Sequence, residues 1–98
     1  MKKTEIINSI RRNILDQNKF GVEKIALFGS FARKDQNSES DIDVMVKFKE
    51  NQKTFDNYMD LKIFLEDEFQ GFKVDLVVEE SIKKRIKPFI YKNISYVS

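Results

Sequence analysis

Apolar residues in "TEIINSIRRNILDQ" recur at Ile6, Ile7, Ile10, Ile14 and Leu15, all on one side of a 3.6-residue period. That spacing predicts an amphipathic helix near the start of the chain, with Thr4 as its N-cap. "GVEKIALFG" reads as a short, largely buried strand between two glycines, and "SFARKD" as a loop or a single helical turn. From Asp41 the period drops to two. Ile42, Val44, Val46 and Phe48 share one face of a strand, while Asp41, Asp43, Met45 and Lys47 share the other.

A second helix is predicted across "TFDNYMDLKIFLEDEF". Phe55, Tyr58, Met59, Leu65 and Phe69 cluster on one face, flanked by Leu61 and Ile63, and Phe64 points the other way as a partly covered aromatic. "FKVDLVV" repeats the strand pattern, with Val74, Leu76 and Val78 on one face and Lys73, Asp75 and Val77 on the other. In "ESIKKRIKPFIYKNI", Ile82, Ile86, Phe89 and Ile90 fall at helical spacing, and Pro88 marks a kink or the start of a further turn. Apolar strand faces on one side and aspartates on the other predict an α+β fold. Its small mixed sheet would have helices packed on one face and the acidic face left open.

Composition narrows the chemistry. A chain of 98 residues suits one domain, spanning 1–98, with a single two-layered core and no room for a separate acceptor-binding domain. With 41% hydrophobic residues, 35% charged and nine Phe, it has the makings of a core. The absence of Cys excludes disulfides and thiol catalysis, and the absence of His removes the commonest general base and zinc ligand. Any metal must therefore be oxygen-bound. The net charge of +2 carries no nucleic-acid footprint, so nucleic acid is not expected as a direct ligand. "KKRIK" and "EDE" read first as solvated faces. No apolar run reaches the roughly 20 residues of a membrane span, and "MKKTEIINSIRRN" lacks a signal-peptide core, so a cytoplasmic protein is expected.

Asp41 and Asp43 stand about 6.6 Å apart along a strand rising about 3.3 Å per residue, within reach of one ion. Asp75 joins them if its strand is a neighbour. Clustered carboxylates repel unless a cation neutralises them, and Mg²⁺ suits such hard oxygen ligands beside substrate phosphates. Gly29 allows close backbone approach to a phosphate, Ser30 adds a hydroxyl and an N–H, and Arg33 with Lys34 adds positive charge. The loop is not a Walker A element, because the second Gly-Lys-Ser/Thr part is missing. For either aspartate alone, cap or turn chemistry at a strand start explains it equally well. The Gly-Ser step, the Asp-x-Asp pair and the third aspartate together favour a site.

At these residues the chain resembles the minimal nucleotidyltransferases of the DNA polymerase β-like superfamily, including the MntA-like antitoxins of HEPN–MNT pairs. Their Gly-Ser-x-Ala-Arg-Gly, spacer and Ser-Asp-Ile-Asp-Leu pattern is matched by "GSFARKDQNSESDIDV". The leading helix, "VDLVV" and the terminal segment extend the resemblance over nearly the whole chain. It implies the polymerase β-like fold and nucleotide binding by Gly29, Ser30, Arg33 and Ser40. It also implies Mg²⁺ held by Asp41, Asp43 and Asp75, with Asp75 helping to activate an acceptor hydroxyl. The departures are Lys34 at a position usually glycine and Val44 where leucine is common. The implied activity is transfer of NMP, most readily AMP from ATP, to a hydroxyl of a HEPN toxin partner, which makes the chain an antitoxin. Two other readings stand beside it. One is a non-catalytic antitoxin that neutralises its partner by contact through Phe64 or "KKRIK". The other is adenylylation of a small hydroxylated antibiotic, which the chain length disfavours. Base preference and oligomeric state, homo- or hetero-oligomeric, stay open.

Overall fold

The computed structural model describes residues 1–37 and 39–97. Helix α1 (Lys3–Ile10) runs on into a wider π-type turn (Arg11–Leu15), so that Ile6, Ile10 and Ile14, one turn apart, are all fully buried. Thr4 lies inside α1 and does not cap it; the Lys2 N–H donates instead to Glu5 Oε1 at 2.9 Å. Strand β1 (Val22–Phe28) leads into a five-residue helix α2 (Gly29–Arg33), and β2 is Ile42–Phe48. Helix α3 (Phe55–Glu68) is capped by Thr54, whose Oγ1 accepts from the Asn57 N–H at 3.1 Å. Strand β3 (Val74–Val78), a 3-10 turn (Glu79–Ser81), helix α4 (Lys87–Tyr91) and the two-residue strand β4 (Ser95–Tyr96) follow.

The sheet order is β3-β2-β1-β4. β2 pairs antiparallel with β1 and parallel with β3, and β4 pairs antiparallel with β1. The β2-α3-β3 crossover makes the sheet mixed, because parallel neighbours need a long connection. Alternation along β2 is obeyed: Ile42, Val44 and Val46 are fully buried and Phe48 nearly so. They pack with α1 and with Leu61, Leu65 and Phe69 in the main core. Each fully buried aliphatic side chain there contributes about 1.5–3 kcal/mol.

Two further helical expectations need correction. In α3 the buried residues are Leu61 and Leu65, Phe64 packs against the core with its ring 6.0 Å from that of Phe20, and Phe55 is 77% exposed. Phe64 lies three residues after Leu61 and therefore on its face. Between Ile82 and Ile86 the chain is not helical; the α-helix is confined to Lys87–Tyr91, with Pro88 in the first turn, where its missing N–H costs no bond. The acidic face is also only half open. Met45 is fully buried in a small second cluster with Ala26 and Ile82, onto which Phe28, Val77, Ile90, Tyr91 and Ile94 pack. The C-terminal segment thus crosses the middle of that face and leaves its aspartate end free.

Candidate active site

Antiparallel pairing brings the end of β1 to the start of β2, and parallel pairing brings the start of β3 to the same place. Phe28 is the register partner of Asp43 on one side, and Asp75 is its partner on the other. Neighbouring strands lie about 4.8 Å apart, so Asp43 and Asp75 project side by side from one face. Asp41 sits just before β2 and is exposed. Neither the Asp41 nor the Asp75 carboxylate has a hydrogen-bond or ion-pair partner among the described residues.

Gly29 closes the third side. Its φ is +71°, in the left-handed region, and a Cβ built on it would stand 2.2 Å from Asp43 Oδ2. Only glycine lets the chain turn here against the carboxylate. Helix α2 is pinned behind it by Phe31, which is fully buried and stacked edge-on against Phe72 at 5.6 Å. The Ser30 hydroxyl has no partner among the described residues, while its carbonyl accepts from the Asp35 N–H at 3.1 Å.

Arg33 is exposed, with Nε 3.1 Å from Asp35 Oδ2. Asp35 was not singled out in the sequence, although its spacing two residues after Arg33 was the available signal. Lys34 occupies φ 64°, ψ 27°, the left-handed turn that ends α2. This explains why glycine is the natural residue there; lysine carries a conformational cost of about 1 kcal/mol. The turn nevertheless closes normally, the Lys34 N–H reaching the Phe31 carbonyl at 3.3 Å. The Ser40 hydroxyl accepts from the Asn37 N–H at 2.8 Å. It is engaged in the turn that delivers the chain to Asp41.

The electrostatics single out Asp43. Its partial burial and, after that, the neighbouring Asp75 and Asp41 push its carboxyl from 3.8 up to about 6, against an opposing pull from Arg33. Negative charge is thus gathered beyond what the protein's own cations offset. Among the described residues no three acidic side chains are already drawn into a finished ion cage. Asp41 and Asp75 are exposed and unpaired, so a change of rotamer is open to both. An all-oxygen donor set carrying excess negative charge fits a hard divalent cation.

The sequence profile of the nucleotidyltransferase domain matches residues 7–97. The chain belongs to the nucleotidyltransferase domain family. It is 43% identical over 91 residues to "Putative protein adenylyltransferase MJ1379" of Methanocaldococcus jannaschii, covering 92% of this chain and 85% of that one. It is 33% identical over 81 residues to protein adenylyltransferase MntA of Thermococcus cleftensis, covering 83% and 80%. A chain in the solved complex of a tri-AMPylated Shewanella oneidensis HEPN toxin with MNT antitoxin superposes with a TM-score of 0.68. That match covers 98% of this chain and 71% of that one at 21% identity, which establishes the shared fold. In this nucleotidyltransferase the Gly29 turn and the carboxylates of Asp41, Asp43 and Asp75 lie at one end of the sheet. Among the described residues no helix is long and apolar enough to cross a membrane.

Proposed function

We propose that this nucleotidyltransferase moves AMP from ATP to a hydroxyl of a HEPN-class partner protein, releasing pyrophosphate and acting in the cytoplasm as the antitoxin of the pair. The observation that carries the reading is the register of Asp43 against Asp75, with the bare Cα of Gly29 set against the Asp43 carboxylate. The names of the adenylyltransferase relatives and the composition of the solved toxin complex support the choice of AMP and of a protein acceptor.

Asp41, Asp43 and Asp75 would hold Mg²⁺, which when bound supplies charge neutralisation for the triphosphate. Gly29 admits the phosphates close to the backbone, and Ser30 offers them its unpartnered hydroxyl and its N–H. Arg33 adds positive charge beside the phosphates. Asp75, exposed at the rim, orients the acceptor hydroxyl and takes its proton. The acceptor oxygen then bonds to the α-phosphorus as the bond from that phosphorus to the bridging oxygen of pyrophosphate breaks. Most of the rate enhancement is positioning.

The test is incubation of the chain with Mg²⁺, α-labelled ATP and a HEPN-class protein as acceptor. Label on the partner with wild type, and none with Asp43→Asn, is expected. No transfer by wild type, or equal transfer by the variant, contradicts the reading. Partner neutralisation that survives Asp41→Asn/Asp43→Asn would show inhibition by contact alone.

A further inference from the structure

The acidic face does not end at the aspartates. Val77 lies two positions beyond Asp75 on the same side of β3, opposite the buried Met45. Beyond Val77 the surface falls into a depression of ≈ 290 Å³ lined by Val77, Ser81, Ile82, Lys83, Ile86 and Ile90. A second depression of ≈ 390 Å³ shares Val77 and Ser81 and continues round the outer edge of β3 to Tyr58. The result is an aliphatic groove that begins one strand step from the carboxylate proposed to activate the acceptor.

Lys83 lines it, and Lys84, Arg85 and Lys87 follow in the chain; all four are exposed and none is in an ion pair among the described residues, whereas the nearby Glu79 accepts from the Tyr91 hydroxyl and Glu80 pairs with Lys53. Ile86, between them, is 41% exposed, and Phe89 in the helix that follows is 81% exposed. A solvated helix face has no need of such apolar exposure, and a core has no need of four uncompensated cations.

We infer that this groove docks the acceptor segment of the modified protein, and that the segment carries aliphatic anchors among acidic residues close to its hydroxyl. The inference rests on the transfer reaction proposed above and leaves its bond changes as written there. Charge complementarity selects an acidic occupant, and the aliphatic lining selects side chains such as Leu or Ile as anchors. RNA fits less well, because the two depressions are lined mainly by aliphatic side chains, with Tyr58 the one aromatic among their lining residues. Addition of a strand to β3 fits less well too, since the Tyr58 hydroxyl already donates to the Leu76 carbonyl at 3.0 Å on that edge. Docking here sets the hydroxyl near Asp75 without an added domain.

Two variants test it, Ile86→Asp and the triple charge reversal Lys83→Glu/Lys84→Glu/Arg85→Glu, with a HEPN-class protein as acceptor. Each is expected to raise the KM for the acceptor by about tenfold or more while kcat and calorimetric ATP affinity stay within about twofold. An unchanged acceptor KM overturns the inference, and so does an equal loss of kcat and ATP affinity. A 20-nucleotide RNA bound by wild type and lost in the variants, with acceptor KM unchanged, overturns it in favour of nucleic acid. Should wild type take up no ATP, the functional reading fails separately. Acceptor affinity measured directly by calorimetry still decides the groove: weakened in both variants it supports docking there, and retained in both it refutes it.

Discussion

Replacing Asp43 by asparagine is expected to make the metal-free chain more stable at pH 7.5 while removing its transferase activity. The carboxyl is held at about 6 in the fold against 3.8 for an ordinary aspartate, so the folded state binds this proton more tightly than the unfolded state does. The stability linked to that proton is present in full below about pH 4 and is lost as pH rises through about 6. At pH 7.5 the wild type has lost it, and an uncharged amide restores it. After allowance for solvent screening the gain is about 1 kcal/mol, or about 4–8 °C in Tm for a domain of this size. The gain should vanish at pH 4, where wild-type Asp43 carries its proton. Activity should fall by about 10²–10³-fold, because the central charge of the cluster is gone. Thermal melts at both pH values in chelator, beside a transfer assay, check the two halves. A residue that stabilises the fold when neutralised, yet is needed for the reaction, is the mark of a site held for function.

Gly29→Ala is expected to abolish transfer for a steric reason. The new Cβ would lie 2.2 Å from Asp43 Oδ2 and 3.1 Å from its Cγ, so either the carboxylate swings away or the turn opens. A displacement near 1 Å at a reacting centre costs about 100-fold in rate. Gly71→Ala separates this from backbone strain. Gly71 has φ +93° and nothing within 4 Å of its would-be Cβ, so its alanine variant should lose stability and keep activity. Lys34, a non-glycine residue held at φ 64°, shows that the left-handed region alone is tolerated in this fold. Equal activity losses in the two alanine variants would contradict the steric account.

The parts of this architecture legible in the sequence are those written in strict periodicity. The alternation from Asp41 to Phe48 placed Asp43 on the face opposite Ile42 and Val44, and the same alternation in "VDLVV" placed Asp75. That the two strands are neighbours was conditional until the parallel register paired them. The phase of α3 was harder to read, because apolar residues surround the helix from Phe55 to Leu65, and contact with Phe20 decides that Phe64 faces inward. The tail misled for a related reason: Ile82, Ile86 and Ile90 keep helical spacing, yet Ile82 and Ile90 join a cluster around Met45 that a turn serves as well as a helix. Strand β4 is two residues long and carries no period at all. Ser40 matched a motif, but whether its hydroxyl serves the turn at Asn37 or a ligand is a matter of local hydrogen bonding that spacing does not encode.

The central claim is that carboxylates from β2 and β3 act together on a cation beside a triphosphate. Calorimetric titration of the chain with ATP, with and without Mg²⁺, at pH 7.5 and pH 5, tests it most directly. The account predicts saturable uptake that requires the ion, weakens at pH 5 as protons compete for Asp43, and disappears in Asp75→Asn. Uptake that is equal without the ion, or undiminished in Asp75→Asn, would contradict it.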